Sequence, residues 1–218
     1  MRFAGILLAL LINMAMAQNS SVPVDKEPVH HLVLANDFTR VYSVTVPVGG
    51  QTLLHQHTYD YVFVALDDAT FDNIPEGKSP TKVELHAGDV RFAKAPLTHI
   101  ARNSGRTPFC NITISVLRQG NTGETQEMLS AMGGASVKVL SNEKIRASSF
   151  SVNSNGSVGP VATFHPSLLI AVSEIQFREG NAAAQLLRAG EVHWFDRAGT
   201  VTVMDQANPF RFVVLEFK

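Results

Sequence analysis

A single cysteine, Cys110, stands in the 218-residue chain, so no intrachain disulfide staples the fold. It falls in the alternating run Pro108-Phe109-Cys110-Asn111-Ile112, with no partner dyad evident, and reads as a small core hydrophobe rather than a nucleophile. Charge is scarce as well. Asp, Glu, Lys and Arg make up 17% of residues, the net charge is −1, and the absence of a basic stripe excludes a nucleic-acid surface. Long apolar runs are missing beyond the N-terminus. The one candidate, residues 4–12, is shorter than the roughly 20 residues a spanning helix needs, and Asn13 interrupts it. Helical periodicity is missing before residue 120, and only residues 124–132 read as a short helix, stopped by Gly133 and Gly134.

What is present begins with a targeting pattern. Arg2, the apolar run and Ala15-Met16-Ala17 form a secretory signal peptide over residues 1–17, with cleavage expected near Gln18. The mature chain is therefore expected to be secreted or periplasmic, with no membrane contact after cleavage. Asn19, Asn111 and Asn155 begin Asn-x-Ser/Thr patterns, which are short enough to arise by chance. Residues 18–35 read as a polar, proline-containing N-terminal arm.

Hydrophobic residues reach 45%, enough for a substantial core, and they are arranged as strands. Val41, Ser43 and Thr45 alternate with Tyr42, Val44 and Val46, in a run rich in β-branched residues. Gly49-Gly50 and Gly88-Asp89 mark turns, and residues 61–66 and 109–117 are further strands. The unit repeats. Leu85-His86-Ala87-Gly88-Asp89-Val90-Arg91-Phe92 is echoed by Leu187-Arg188-Ala189-Gly190-Glu191-Val192-His193-Trp194, and Pro108-Phe109 by Pro209-Phe210. The predicted class is all-β, two tandem barrels: residues 36–120, a linker over 121–145, and residues 146–218.

Chemistry concentrates in the first copy. His55 and His57 sit one residue apart, and on a strand residues i and i+2 share a face. A third histidine, His99, follows the second glycine turn. Imidazole is the commonest protein metal ligand, and three of them leave open positions for substrate. In the second copy Val161 and Thr163 stand where His55 and His57 do, and His165 and His193 fall off the ligand positions.

Gly50, His55, His57, and then Gly88, Pro96, His99 and Asn103 resemble the two motifs of the cupin superfamily over residues 40–118. The chain is thus similar to a bicupin whose second jelly-roll-like barrel is degenerate. Two positions depart from the pattern: Thr98 replaces a glycine, and Tyr61 stands where the family carries a metal-ligating glutamate. The resemblance implies one metal centre on His55, His57 and His99, holding Fe, Mn, Zn, Ni or Cu. Three-histidine cupin sites occur among thiol dioxygenase relatives, so the missing glutamate leaves oxygen chemistry open. Tyr61, a neutral phenol, fits a hydrogen-bonding role behind the ligands better than ligation. Arg91, Phe63, Phe92 and Tyr59 are candidate pocket residues. Two function classes follow: a secreted metal-dependent, dioxygenase-like enzyme acting on a small organic molecule, or a non-catalytic module that binds a sugar or acid, or that assembles with further copies of the chain.

Overall fold

In the computed structural model, residues 20–118 and 134–218 are described. The signal peptide over residues 1–17, the Asn19 pattern and the short helix over 124–132 lie outside them. No helix among the described residues is long and apolar enough to cross a membrane.

Alternating β-branched residues produce strands throughout. The first copy contains β1 (Val22–Pro23), β2 (His30–Ala35), β3 (Thr39–Val46), β4 (His55–His57), β5 (Tyr61–Ala65), β6 (Ala69–Pro75), β7 (Thr81–Leu85), β8 (Val90–Ala93), β9 (Leu97–Asn103) and β10 (Phe109–Val116). They form two five-stranded sheets, β1-β4-β9-β6-β7 and β2-β3-β10-β5-β8. The second copy contains β11 (Ala135–Ser141), β12 (Ile145–Val152), β13 (Val161–Thr163), β14 (Ser167–Ala171), β15 (Ile175–Glu179), β16 (Gln185–Leu187), β17 (Val192–Phe195), β18 (Gly199–Val203) and β19 (Phe210–Phe217). Its sheets are β11-β12-β19-β14-β17 and β13-β18-β15-β16. Two tandem barrels of the same topology result, as the repeat requires.

The strands reach further than the sequence boundaries. β2, in the segment expected to be an arm, pairs with β3, and β11, in the expected linker, pairs with β12. Both are outer strands whose alternation is weak: Leu32 and Val33 are exposed, and β11 buries little. They are held by pairing more than by an apolar face, and periodicity alone does not reveal that. The Gly88-Asp89 turn also does more than close a hairpin. It carries the chain from β7 in one sheet to β8 in the other, with Gly88 at φ 87°.

The barrels pack face to face. Val62, Val64, Ile112 and Ile114 of the first meet Leu168, Ile170, Val213 and Leu215 of the second in one buried cluster. Each such side chain contributes about 1.5–3 kcal/mol by leaving water. β10 is therefore buried along nearly its whole length, with Ile112, Ile114 and Val116 turned to the seam and Asn111 and Thr113 turned to the barrel interior. Lys144 Nζ donates to Asp60 at 2.6 Å across the same seam.

The two interiors differ. Equivalent positions on paired strands are Val44, Asn111 and Ala65 in the first barrel and Phe150, Phe212 and Ala171 in the second. Phe150 and Phe212 stack at 4.5 Å and, with Leu169, Phe177 and Phe195, fill the second barrel. Val44 and Asn111 leave the first with a cavity of about 210 Å³.

Candidate metal centre

β4 is only three residues long, and its alternation aims His55 and His57 inward while Gln56 faces away. β9 pairs with it so that His55 lies directly opposite His99. In the second barrel the same register sets Val161 opposite Val201, with Thr163 opposite Gly199. No imidazole occupies any of the three equivalent positions there. His165 is buried beside this strand, its Nε2 without a partner among the described residues, and His193 sits between Phe177 and Phe195.

The first barrel brings His55, His57 and His99 together. His55 Nδ1 donates to the Leu53 carbonyl at 2.9 Å, and His99 Nδ1 donates to Asn73 Oδ1 at 2.6 Å. Those bonds leave both Nε2 atoms as bare lone pairs. They face His57 Nε2 at 3.1 and 3.3 Å. Nitrogens bound about 2.1 Å from one ion lie about 3.0 Å apart at right angles and about 3.4 Å apart at tetrahedral angles. These spacings are compatible with a divalent transition metal; without an ion, a proton on His57 Nε2 would hydrogen-bond to one of the two bare nitrogens, leaving His57 Nδ1 without a partner among the described residues. Burial, reinforced by the neighbouring imidazoles, pushes His57 down to about 2 and His99 down to about 3. His55 falls to about 4, its burial partly opposed by the Leu53 bond. All three are neutral near pH 7, the form a metal requires.

Tyr61 stacks flat on His57, ring centroids 3.9 Å apart and planes 15° apart. Burial raises its phenol far above the ordinary value, so it stays protonated. Asp60 is turned away and committed to Lys144 and the Ala95 amide. Asn103 is a turn residue: its amide donates to the Val46 and Thr107 carbonyls, and its oxygen accepts from the Gly105 amide. Of the candidate pocket residues, Arg91 and Phe63 line the cavity, Phe92 packs into the seam between barrels, and Tyr59 is exposed. Asn111 is buried, so its Asn-x-Ser/Thr pattern lies inside the barrel.

Three residues were missed by sequence reasoning: His30, Glu27, and Asn73, the acceptor for His99 Nδ1. His30, on β2, brings a fourth imidazole to the cluster, and its ligand atom and those of His55 and His57 all lie within 4.8 Å of one another. Glu27, 3% exposed, accepts from His30 Nδ1 at 2.6 Å, from the Val29 amide and from the Leu53 amide. Burial alone would raise this carboxyl, but the His30 and backbone bonds outweigh it and hold it below the ordinary range. The paired His30-His31 and a glutamate three residues earlier were the only local signals.

No protein-family model matches the chain, and no curated protein matches it. Solved structures match its fold. A cupin 2 conserved barrel domain protein from Leptotrichia buccalis is similar over 86% of this chain and 87% of its own, at 12% identity and a TM-score of 0.53. Oxalate decarboxylase from Bacillus subtilis, a protein with Mn(II) centres, is similar over 83% of this chain and 69% of its own, at 11% identity and a TM-score of 0.58. Salicylate 1,2-dioxygenase from Pseudoaminobacter salicylatoxidans, solved in complex with gentisate, is similar over 83% and 69%, at 8% identity and a TM-score of 0.56. At such identities the likeness is one of fold alone, that of tandem cupin-type barrels.

Proposed function

We propose that His55, His57 and His99 hold one divalent transition metal in the first barrel, and that the cavity beside it takes a small, largely apolar organic acid for metal-dependent, dioxygenase-like chemistry. The observation that carries this is the convergence of three Nε2 atoms, with that of His57 3.1 and 3.3 Å from those of His55 and His99. When bound, the ion supplies a Lewis acid and, if redox-active, an electron donor. The chain's own residues do the rest. Phe71, Val83, Leu97 and Phe109 exclude water from the cavity wall. Arg91, whose nearest carboxylate is Asp89 at 3.9 Å, offers a cation to a ligand's anionic end. The Tyr61 hydroxyl, with no bonding partner among the described residues, is a donor held protonated beside His57. Two structural neighbours, one a protein with Mn(II) centres and one a dioxygenase, support this reading.

The test is elemental analysis of the mature protein followed by an O₂-uptake screen of small aromatic and aliphatic acids. A second variant locates the ligand. Val44→Phe with Asn111→Phe installs the stacked pair of the second barrel, so metal content should stay near wild type while uptake and calorimetric binding of the active acid fall at least about tenfold. Unchanged acid binding in that variant would place the ligand outside the barrel.

Export belongs to the same proposal, on the strength of Arg2, the apolar run and Ala15-Met16-Ala17. N-terminal sequencing of protein recovered outside the cytoplasm should begin at or near Gln18. Full-length chain retained in the cytoplasm would reject this.

A further inference from the structure

Residues 22–30 lead from β1, in the sheet that carries β4 and β9, to the start of β2 in the other sheet, and they run directly against the histidine cluster. β1 pairs in parallel with β4 so that Val22 lies beside His55 and Pro23 beside Gln56, and the Val22 amide donates to the Leu54 carbonyl at 3.0 Å. Val24 is buried in the barrel core. Glu27 then spans 26 residues of sequence to accept from the Leu53 amide at 3.0 Å. Leu53 is the residue whose carbonyl orients His55. One carboxylate thus braces both the loop that sets His55 and the ring of His30.

The chemistry of His30 follows from that bond. An ionised carboxylate only accepts, so His30 Nδ1 is the donor, and in the neutral ring Nε2 keeps its lone pair. Glu27 is the only carboxylate among the described buried residues of this barrel. The His30 ring lies 4.9 Å from that of His55 and 6.2 Å from that of His57. The carboxylate–imidazole pair is the arrangement that orients a metal-ligating histidine and raises its basicity. It also supplies a negative charge close to a buried dication that three neutral imidazoles cannot neutralise. Tyr61, in the place where a glutamate would ligate, leaves both the coordination position and the charge to be found elsewhere.

We infer that His30, oriented by Glu27, is a fourth ligand to the ion held by His55, His57 and His99, so that binding the metal and docking residues 22–30 are one event. This rests on the metal reading above. His30 is a ligand; Glu27 is a positioning residue that acts through it.

The experiment uses the full mature chain and two metal probes. Co(II) titration reads affinity, and electron spin-echo modulation of Cu(II)-loaded protein counts coordinated imidazoles through their remote nitrogens. His30→Gln removes the imidazole but keeps an amide donor for Glu27, so folding is preserved. It should weaken Co(II) about ten- to a hundredfold and remove one imidazole from the count. Glu27→Gln should weaken Co(II) about tenfold with the count unchanged. Co(II) should slow hydrogen exchange at the Val22 and Leu53 amides in wild type and not in His30→Gln. If His99→Ala abolishes binding while His30→Gln keeps wild-type affinity and imidazole count, the fourth-ligand inference fails alone. If wild type binds neither probe, this inference and the metal reading fail together.

Discussion

Purified His55→Ala, His57→Ala and His99→Ala should each retain less than about a tenth of the wild-type metal, while the chain stays folded. The three are expected to act as a unit because His57 Nε2 lies 3.1 and 3.3 Å from the Nε2 atoms of His55 and His99, whose rings are each oriented by a bond from Nδ1. The fold survives because the second barrel and the seam between barrels bury their apolar residues without help from the site. Tyr61→Phe should keep the metal: the contact with His57 is made by the ring, and the phenylalanine ring preserves it. His165→Ala should also keep it, with stoichiometry near one ion per chain, because Val161, Thr163 and Val201 occupy the ligand positions of the second barrel. The decisive measurement is metal content and circular dichroism across all five proteins. Two ions per chain, or loss of metal in Tyr61→Phe equal to that in His99→Ala, would overturn the assignment.

The difference between those variants and His30 explains how far the sequence could be read. His55 and His57 announce themselves because strand alternation is a two-residue rule, and His99 because its spacing from Gly88 repeats a motif. The degenerate second barrel was legible by the same register. His30, Glu27 and Asn73 were not. Glu27 and Asn73 reach the site through bonds to residues 26 apart in sequence, Leu53 and His99, and His30 through the pairing of β2 with β3. Single-sequence periodicity carries no trace of such pairing, and a proline-containing stretch with two exposed apolar residues looks like a loose arm. The cavity was hidden for another reason. Val44 and Asn111 are unremarkable by themselves, and only the comparison with Phe150 and Phe212, possible once register is known, shows that they hollow the barrel.

Metal-free protein should lose stability steeply as pH falls from about 6.5 to about 4.5, and metal should protect it. In the unfolded chain the histidines titrate near 6.5. In the folded chain His55 is held down at about 4 and His99 at about 3, chiefly by burial. Folded-state values below the unfolded ones mean that stability is complete above about pH 6.5. It then drains away as the unfolded chain takes up protons that the buried cluster refuses. His55 alone accounts for about 2 kcal/mol over that interval. The cluster is coupled, so the total is smaller than three independent losses. The paired carboxylates Asp60, Asp89 and Glu27 are also held low, but their losses begin only below about pH 4.3. Urea unfolding of chelated protein at pH 7.5, 6.5, 5.5 and 4.5 measures the slope. The triple variant His55→Gln, His57→Gln, His99→Gln removes these titrations and should flatten it, leaving the smaller contribution of half-buried His193. A wild-type stability that is level or rising toward pH 4.5 would show that the three imidazoles accept protons in place, and the cluster would then not be the neutral, metal-ready site its hydrogen bonds describe.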